Sequence, residues 1–132
     1  MVMPINPKTT GLHHVALRSM NFSITKRFYH EIIGLPIALD TEEILGFMAG
    51  NVFIGFKKAI PTHESGNIFT PFNVGLDHIA LACETEEELQ RVTKALTAAG
   101  VENTGIKTDA VSSKLYVAFK DPDRISWEFY MV

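Results

Sequence analysis

The chain has 132 residues, 46% of them apolar and 20% charged, with a formal net charge of −3, a composition that suits a globular protein with one substantial core or two small ones. Lys and Arg are scattered rather than striped, which argues against a nucleic-acid partner, and no apolar run approaches the roughly 20 residues of a membrane span. Cys83, the single cysteine, excludes an intramolecular disulfide, and the N-terminus lacks the apolar run of a signal peptide, so a cytoplasmic protein with no membrane association is expected.

Residues 1–10 hold two prolines and read as a loose arm. The run Leu12–Leu17 predicts a strand. Asn21 can cap a following helix, whose apolar stripe is Phe22, Ile24, Phe28, Ile32 and Ile33; Gly34 ends it. Further strands are expected at Pro36–Leu39, Ile44–Ala49 and Val52–Lys57, the last two joined by a Gly50-Asn51 hairpin. Residues 58–74 form a linker. After it come a strand, Gly75–Cys83, and a helix opened by Thr85 and Glu88 as a capping box. Leu89, Val92, Leu96 and Ala99 line one side of that helix, and Gly100 closes it. Strands Asn103–Thr108, Lys114–Lys120 and Ile125–Val132 finish the chain, with Asp121-Pro122-Asp123-Arg124 as the turn between the last two.

This order repeats. Sliding the sequence by 64 positions lays Gly11-Leu12-His13-His14-Val15-Ala16-Leu17 on Gly75-Leu76-Asp77-His78-Ile79-Ala80-Leu81. The predicted fold is α+β: two tandem βαβββ modules, residues 11–57 and 75–132, forming a cupped mixed sheet with the helices outside, within a single domain. Strand alternation turns Val15, Leu17, Ile79, Leu81, Cys83, Val117, Phe119, Trp127 and Phe129 toward the helices. The opposite face carries His14, Arg18, His78, Tyr116, Ser126, Glu128 and Tyr130 among alanines, a mixture that suits a cup lining. Equivalent positions of two such units meet near a pseudo-two-fold axis. His14 and His78, joined by Glu128, are therefore expected to form a divalent metal site. Glu128 lies between Trp127 and Phe129, and a buried carboxylate there needs a metal or a cation; an ion pair with Arg18 is the simpler alternative. His13 matches Asp77 in the repeat and is read as a surface or edge residue.

On Leu12-His13-His14-Val15-Ala16-Leu17, Phe28-Tyr29 with Ile33-Gly34-Leu35, Leu76-Asp77-His78-Ile79-Ala80-Leu81 and Phe119-Lys120-Asp121-Pro122-Asp123 with Glu128-Phe129, the sequence resembles the vicinal oxygen chelate superfamily. That superfamily holds the glyoxalases, the bleomycin-resistance proteins and the extradiol dioxygenases, and the resemblance spans residues 11–132. It implies metal ligands from four strands: a His on the first strand and a Glu or Gln on the fourth strand of each unit. His14, His78 and Glu128 match as ligands, while the remaining position falls at Gly55, which cannot ligate and could equally mark a bulge or close approach. A 2-His-1-carboxylate set remains, as in the superfamily's extradiol dioxygenases and metal-dependent fosfomycin-resistance enzymes, with coordination positions open for substrate.

The resemblance further implies a homodimer, a divalent ion (Fe2+, Mn2+, Ni2+ or Zn2+) and a small substrate chelated through vicinal oxygens. The expected reaction is of lyase or isomerase type. Glu128, His63 and Tyr116 are the candidate catalytic residues, with His63 a proton shuttle or else simply an exposed loop histidine. The alternatives are an extradiol-type ring-cleaving dioxygenase with an Fe(II) site, and a metal-free drug-binding protein like those of bleomycin resistance.

Overall fold

A computed structural model describes residues 2–60 and 68–132; His63 lies outside them. The chain runs β1 (His14–Ser19), α1 (Phe22–Lys26, continued by a π-helical segment, Arg27–Ile32), β2 (Ile37–Asp40), β3 (Leu45–Ala49) and β4 (Val52–Lys58). It then repeats as β5 (Ile79–Cys83), α2 (Glu86–Ala98), β6 (Asn103–Thr108), β7 (Leu115–Lys120) and β8 (Ser126–Met131). This is the predicted βαβββ order, twice. It builds two four-stranded sheets, ordered β1-β4-β3-β2 and β5-β8-β7-β6, in which the first strand of each runs parallel to the fourth and the other pairs are antiparallel.

Local chemistry sets the element ends. The Asn21 side chain accepts from Ile24 N at 3.2 Å and starts α1. Thr85 Oγ1 accepts from Glu88 N at 3.1 Å and starts α2. The reciprocal half of that capping box does not form, because the Glu88 carboxylate turns to Arg91, which it meets at 2.8 Å through Nε. Gly50, at φ +59, makes the tight β3–β4 turn that pairs Ala49 with Val52. At the β7–β8 turn Asp121 Oδ1 accepts from the backbone of both Asp123 (2.9 Å) and Ile125 (2.8 Å), which holds Arg124 at φ +70.

The first helix departs from the predicted stripe. A π-helical turn widens its second half, with Ile33 N donating to Phe28 O and Leu35 N to Tyr29 O. The consecutive residues Phe28 and Tyr29 are thereby both buried, while Ile24 stays exposed. Tyr29 packs on Phe47 and Phe56 of the first sheet and on Trp127 of the second. Its hydroxyl donates to Asp121 Oδ2 at 2.6 Å and accepts from Trp127 Nε1 at 2.8 Å. One core therefore serves both sheets, with Leu45, Ile54, Leu89, Val117, Phe119 and Cys83 also buried in it. Cys83 is a core residue whose thiol burial pushes above its ordinary pKa, as expected of an inert cysteine.

Candidate metal centre

The face of the second sheet opposite α2 carries a cleft of about 480 Å³, lined among others by His78, Glu128, Lys120, Ser126, Thr104 and Arg124. Strand register explains this gathering. Glu128 on β8 is level with Ala80 on β5 and Ala118 on β7, so small side chains flank the carboxylate on both sides. His78 precedes Ile79, the first residue of β5, and shares the parity of Ala80.

His78 Nε2 stands 3.3 Å from Glu128 Oε1, and His78 Nδ1 stands 2.7 Å from Asp77 Oδ1. With Nδ1–H donated to Asp77, Nε2 is the nitrogen aimed at Glu128. This is the orientation that a carboxylate behind an imidazole gives a ligating histidine. Burial raises the Glu128 pKa, the His78 charge lowers it, and Asp109 and Asp77 raise it again. Asp109 is held ionised by the Val111 backbone N–H and by the Tyr130 hydroxyl, which donates to it at 3.0 Å. One imidazole thus lies among three carboxylates. Nitrogen and oxygen donors in a field of excess negative charge suit a divalent cation, so His78 and Glu128 fit two positions of the expected ligand set.

His14 does not join them within the chain. Among the described residues, no three His, Cys, Asp or Glu side chains lie close enough together to hold a metal ion. His14 opens β1 on the other sheet, where its Nδ1 shares a 2.9 Å hydrogen bond with Nδ1 of His13. This is the repeat-equivalent of the Asp77–His78 contact; His13 is a surface residue, as expected, and its ring nitrogen partners His14. The register also locates the missing ligand. Ala16 on β1 is level with Gly55 on β4, as Ala80 is with Glu128, so Gly55 is the counterpart of Glu128.

Other candidates find other roles. Arg18 donates to the Lys58 carbonyl at 2.9 Å, and the partner of Glu128 is His78, so the alternative Arg18–Glu128 ion pair does not form. Tyr116 stacks on Tyr130, rings 6.1 Å apart and inclined by 17°, and does not line the cleft. Lys120 does line it, with its ammonium on the Ser126 hydroxyl. Asp77, Lys120, Thr104 and Arg124 also line the cleft, although the sequence does not single them out for the cup. Asp77 was detectable from its place beside a repeated histidine, and Lys120 from sharing the parity of Tyr116 and Ala118.

The comparisons with known proteins agree with this architecture. The YwkD protein of Bacillus subtilis (strain 168) is 27% identical over 128 residues, covering 91% of this chain and 95% of YwkD. The crystal structure of a glyoxalase family protein from Enterococcus faecalis superposes with a TM-score of 0.75 at 25% identity, over 92% of this chain and 97% of that one. The fosfomycin resistance protein FosX from Listeria monocytogenes superposes with a TM-score of 0.73 at 21% identity, over 94% of each chain. Residues 11–129 match the family described as the Glyoxalase/Bleomycin resistance protein/Dioxygenase superfamily, and the chain belongs to it.

Proposed function

We propose that this protein is a metal-dependent enzyme acting on a small substrate that chelates the ion through two adjacent oxygens, in a reaction of lyase or isomerase type. The observation that carries this reading is the Asp77–His78–Glu128 arrangement at the mouth of the cleft. His78 Nε2 and Glu128 would supply two ligands, and His14 of a second copy the third. A bound divalent ion would act as a Lewis acid on the substrate oxygens. Asp77 fixes the His78 tautomer, and the partial burial of Glu128 raises its pKa, which favours proton uptake by this carboxylate relative to an exposed one. Lys120 offers a cation to an anionic substrate group at the cleft wall.

A homodimer is part of the proposal. His14 opens β1 and His78 immediately precedes β5, and each of these strands is the edge of its own sheet. Edge strands present unpaired backbone groups to a second chain. Val2, Ile5, Phe72 and Val74 leave further apolar surface exposed for such a partner to cover.

The test is metal analysis of protein purified without chelator. Stoichiometric Fe, Mn, Ni or Zn, lost in His14→Ala, His78→Ala and Glu128→Ala, is expected; protein that neither carries nor takes up these ions overturns the reading in favour of a metal-free drug-binding protein. The three-ligand set also favours an extradiol dioxygenase as a second reading. Oxygen uptake by reduced, iron-loaded protein with a panel of catechols would support it, and none would remove it.

A further inference from the structure

The place of the absent fourth ligand is filled. On β4, Phe53 is level with His14 of β1 and shares its face of the sheet. Gly55, two residues on, is level with Gly46 of β3. A Cβ built on Gly46 would stand 2.2 Å from Phe53 Cζ, and one on Gly55 would stand 2.8 Å from Phe53 Cε1. Real Cβ atoms essentially never come so close, so the bare backbone of both glycines leaves the room that the Phe53 ring occupies. Both glycines are buried, while Phe53 keeps part of its surface exposed. In the second sheet the counterparts of Phe53, Gly55 and Gly46 are Ser126, Glu128 and Ala118. Where one module presents a carboxylate, the other presents an aromatic ring level with His14.

We infer that Phe53 sets the substrate class of the metal site, an inference that rests on the metal-enzyme reading above. The substrate is a molecule whose vicinal oxygens reach the ion and whose adjoining carbon bears a flat aryl or conjugated group that stacks on Phe53. A polyhydroxylated group at that place would lose its water against a ring with no hydrogen bond to return. A phenyl group gains both apolar burial and the ring-on-ring contact.

Two bidentate chelators that differ only in this group make the test: benzohydroxamate and acetohydroxamate, titrated calorimetrically into protein loaded with Ni2+ or Mn2+. Wild type is expected to bind the phenyl compound about tenfold more tightly, and Phe53→Tyr to keep that ratio. Phe53→Leu, which keeps apolar volume without the flat face, and Gly46→Ala, whose new methyl must lift the ring, are expected to bring the ratio to within about twofold. A ring that merely supported the sheet would shift both affinities together and leave the ratio alone. Equal affinities in wild type, or an unchanged ratio in both variants, overturn the inference while the metal reading stands. Failure of wild type to bind either metal overturns the reading and the inference with it.

Discussion

Asp77 is largely exposed to water, its side chain 76% accessible, yet it governs how His78 presents itself. Its 2.7 Å contact with Nδ1, shorter than the 3.3 Å contact of Nε2 with Glu128, favours the tautomer protonated on Nδ1. Asp77→Ala should therefore weaken metal binding while leaving both proposed ligands in place. Loss of such a partner typically costs 10–100-fold in affinity, and the exposure of this one points to the lower end; titration against a competing chelator measures it. Asp121 behaves differently. It is buried, and burial raises its pKa above the ordinary value of 3.8 despite the hydrogen bonds from Tyr29 and two backbone N–H groups. The folded protein thus binds this proton more tightly than the unfolded chain does. Its contribution to stability is complete below pH 3.8 and is lost as pH rises through the raised value. Asp121→Asn carries no such proton. Urea denaturation should find wild type losing ground to this variant as pH rises across that window, and a constant difference would contradict the assignment.

At the scale of elements, the π-helical half of α1 is what lets one helix serve two sheets. Tyr29→Phe keeps the ring but strands the Trp127 N–H and an Asp121 oxygen in the core. It should cost about 1–3 kcal/mol, read as a lower urea midpoint with unchanged slope. The sequence announced the caps at Asn21 and Thr85, the Gly50-Asn51 turn and the Asp121–Arg124 turn, because each depends on residues within a few positions of one another. It did not announce the π turn. That turn is stabilised by Tyr29 reaching Asp121, 92 residues away, and no local pattern records such a contact. The site was legible to the same extent: parity placed His78 and Glu128 on one face, whereas the separation of His14 depends on how the two sheets pack.

For the whole molecule the decisive question is whether a site draws on two chains. If His14 of one copy completes the His78–Glu128 pair of another, His14→Ala and His78→Ala chains should each lose the metal alone. Unfolding and refolding them together in equal amounts should restore roughly a quarter of the sites, since half the dimers are mixed and each mixed dimer has one intact site. No recovery would mean that the site, if it forms, lies within a single chain. Phe53 adds a historical dimension to the same assembly. A carboxylate arriving at position 55 must displace the ring already lying there, because its Cβ would stand 2.8 Å from Phe53 Cε1. Gly55→Glu alone should yield a poorer metal binder than wild type, whereas Phe53→Ser with Gly55→Glu, which copies Ser126 and Glu128 into the first module, should bind more tightly than either single variant. The order of substitutions would then matter: a lineage holding this phenylalanine can reach a four-ligand centre only after giving the ring up.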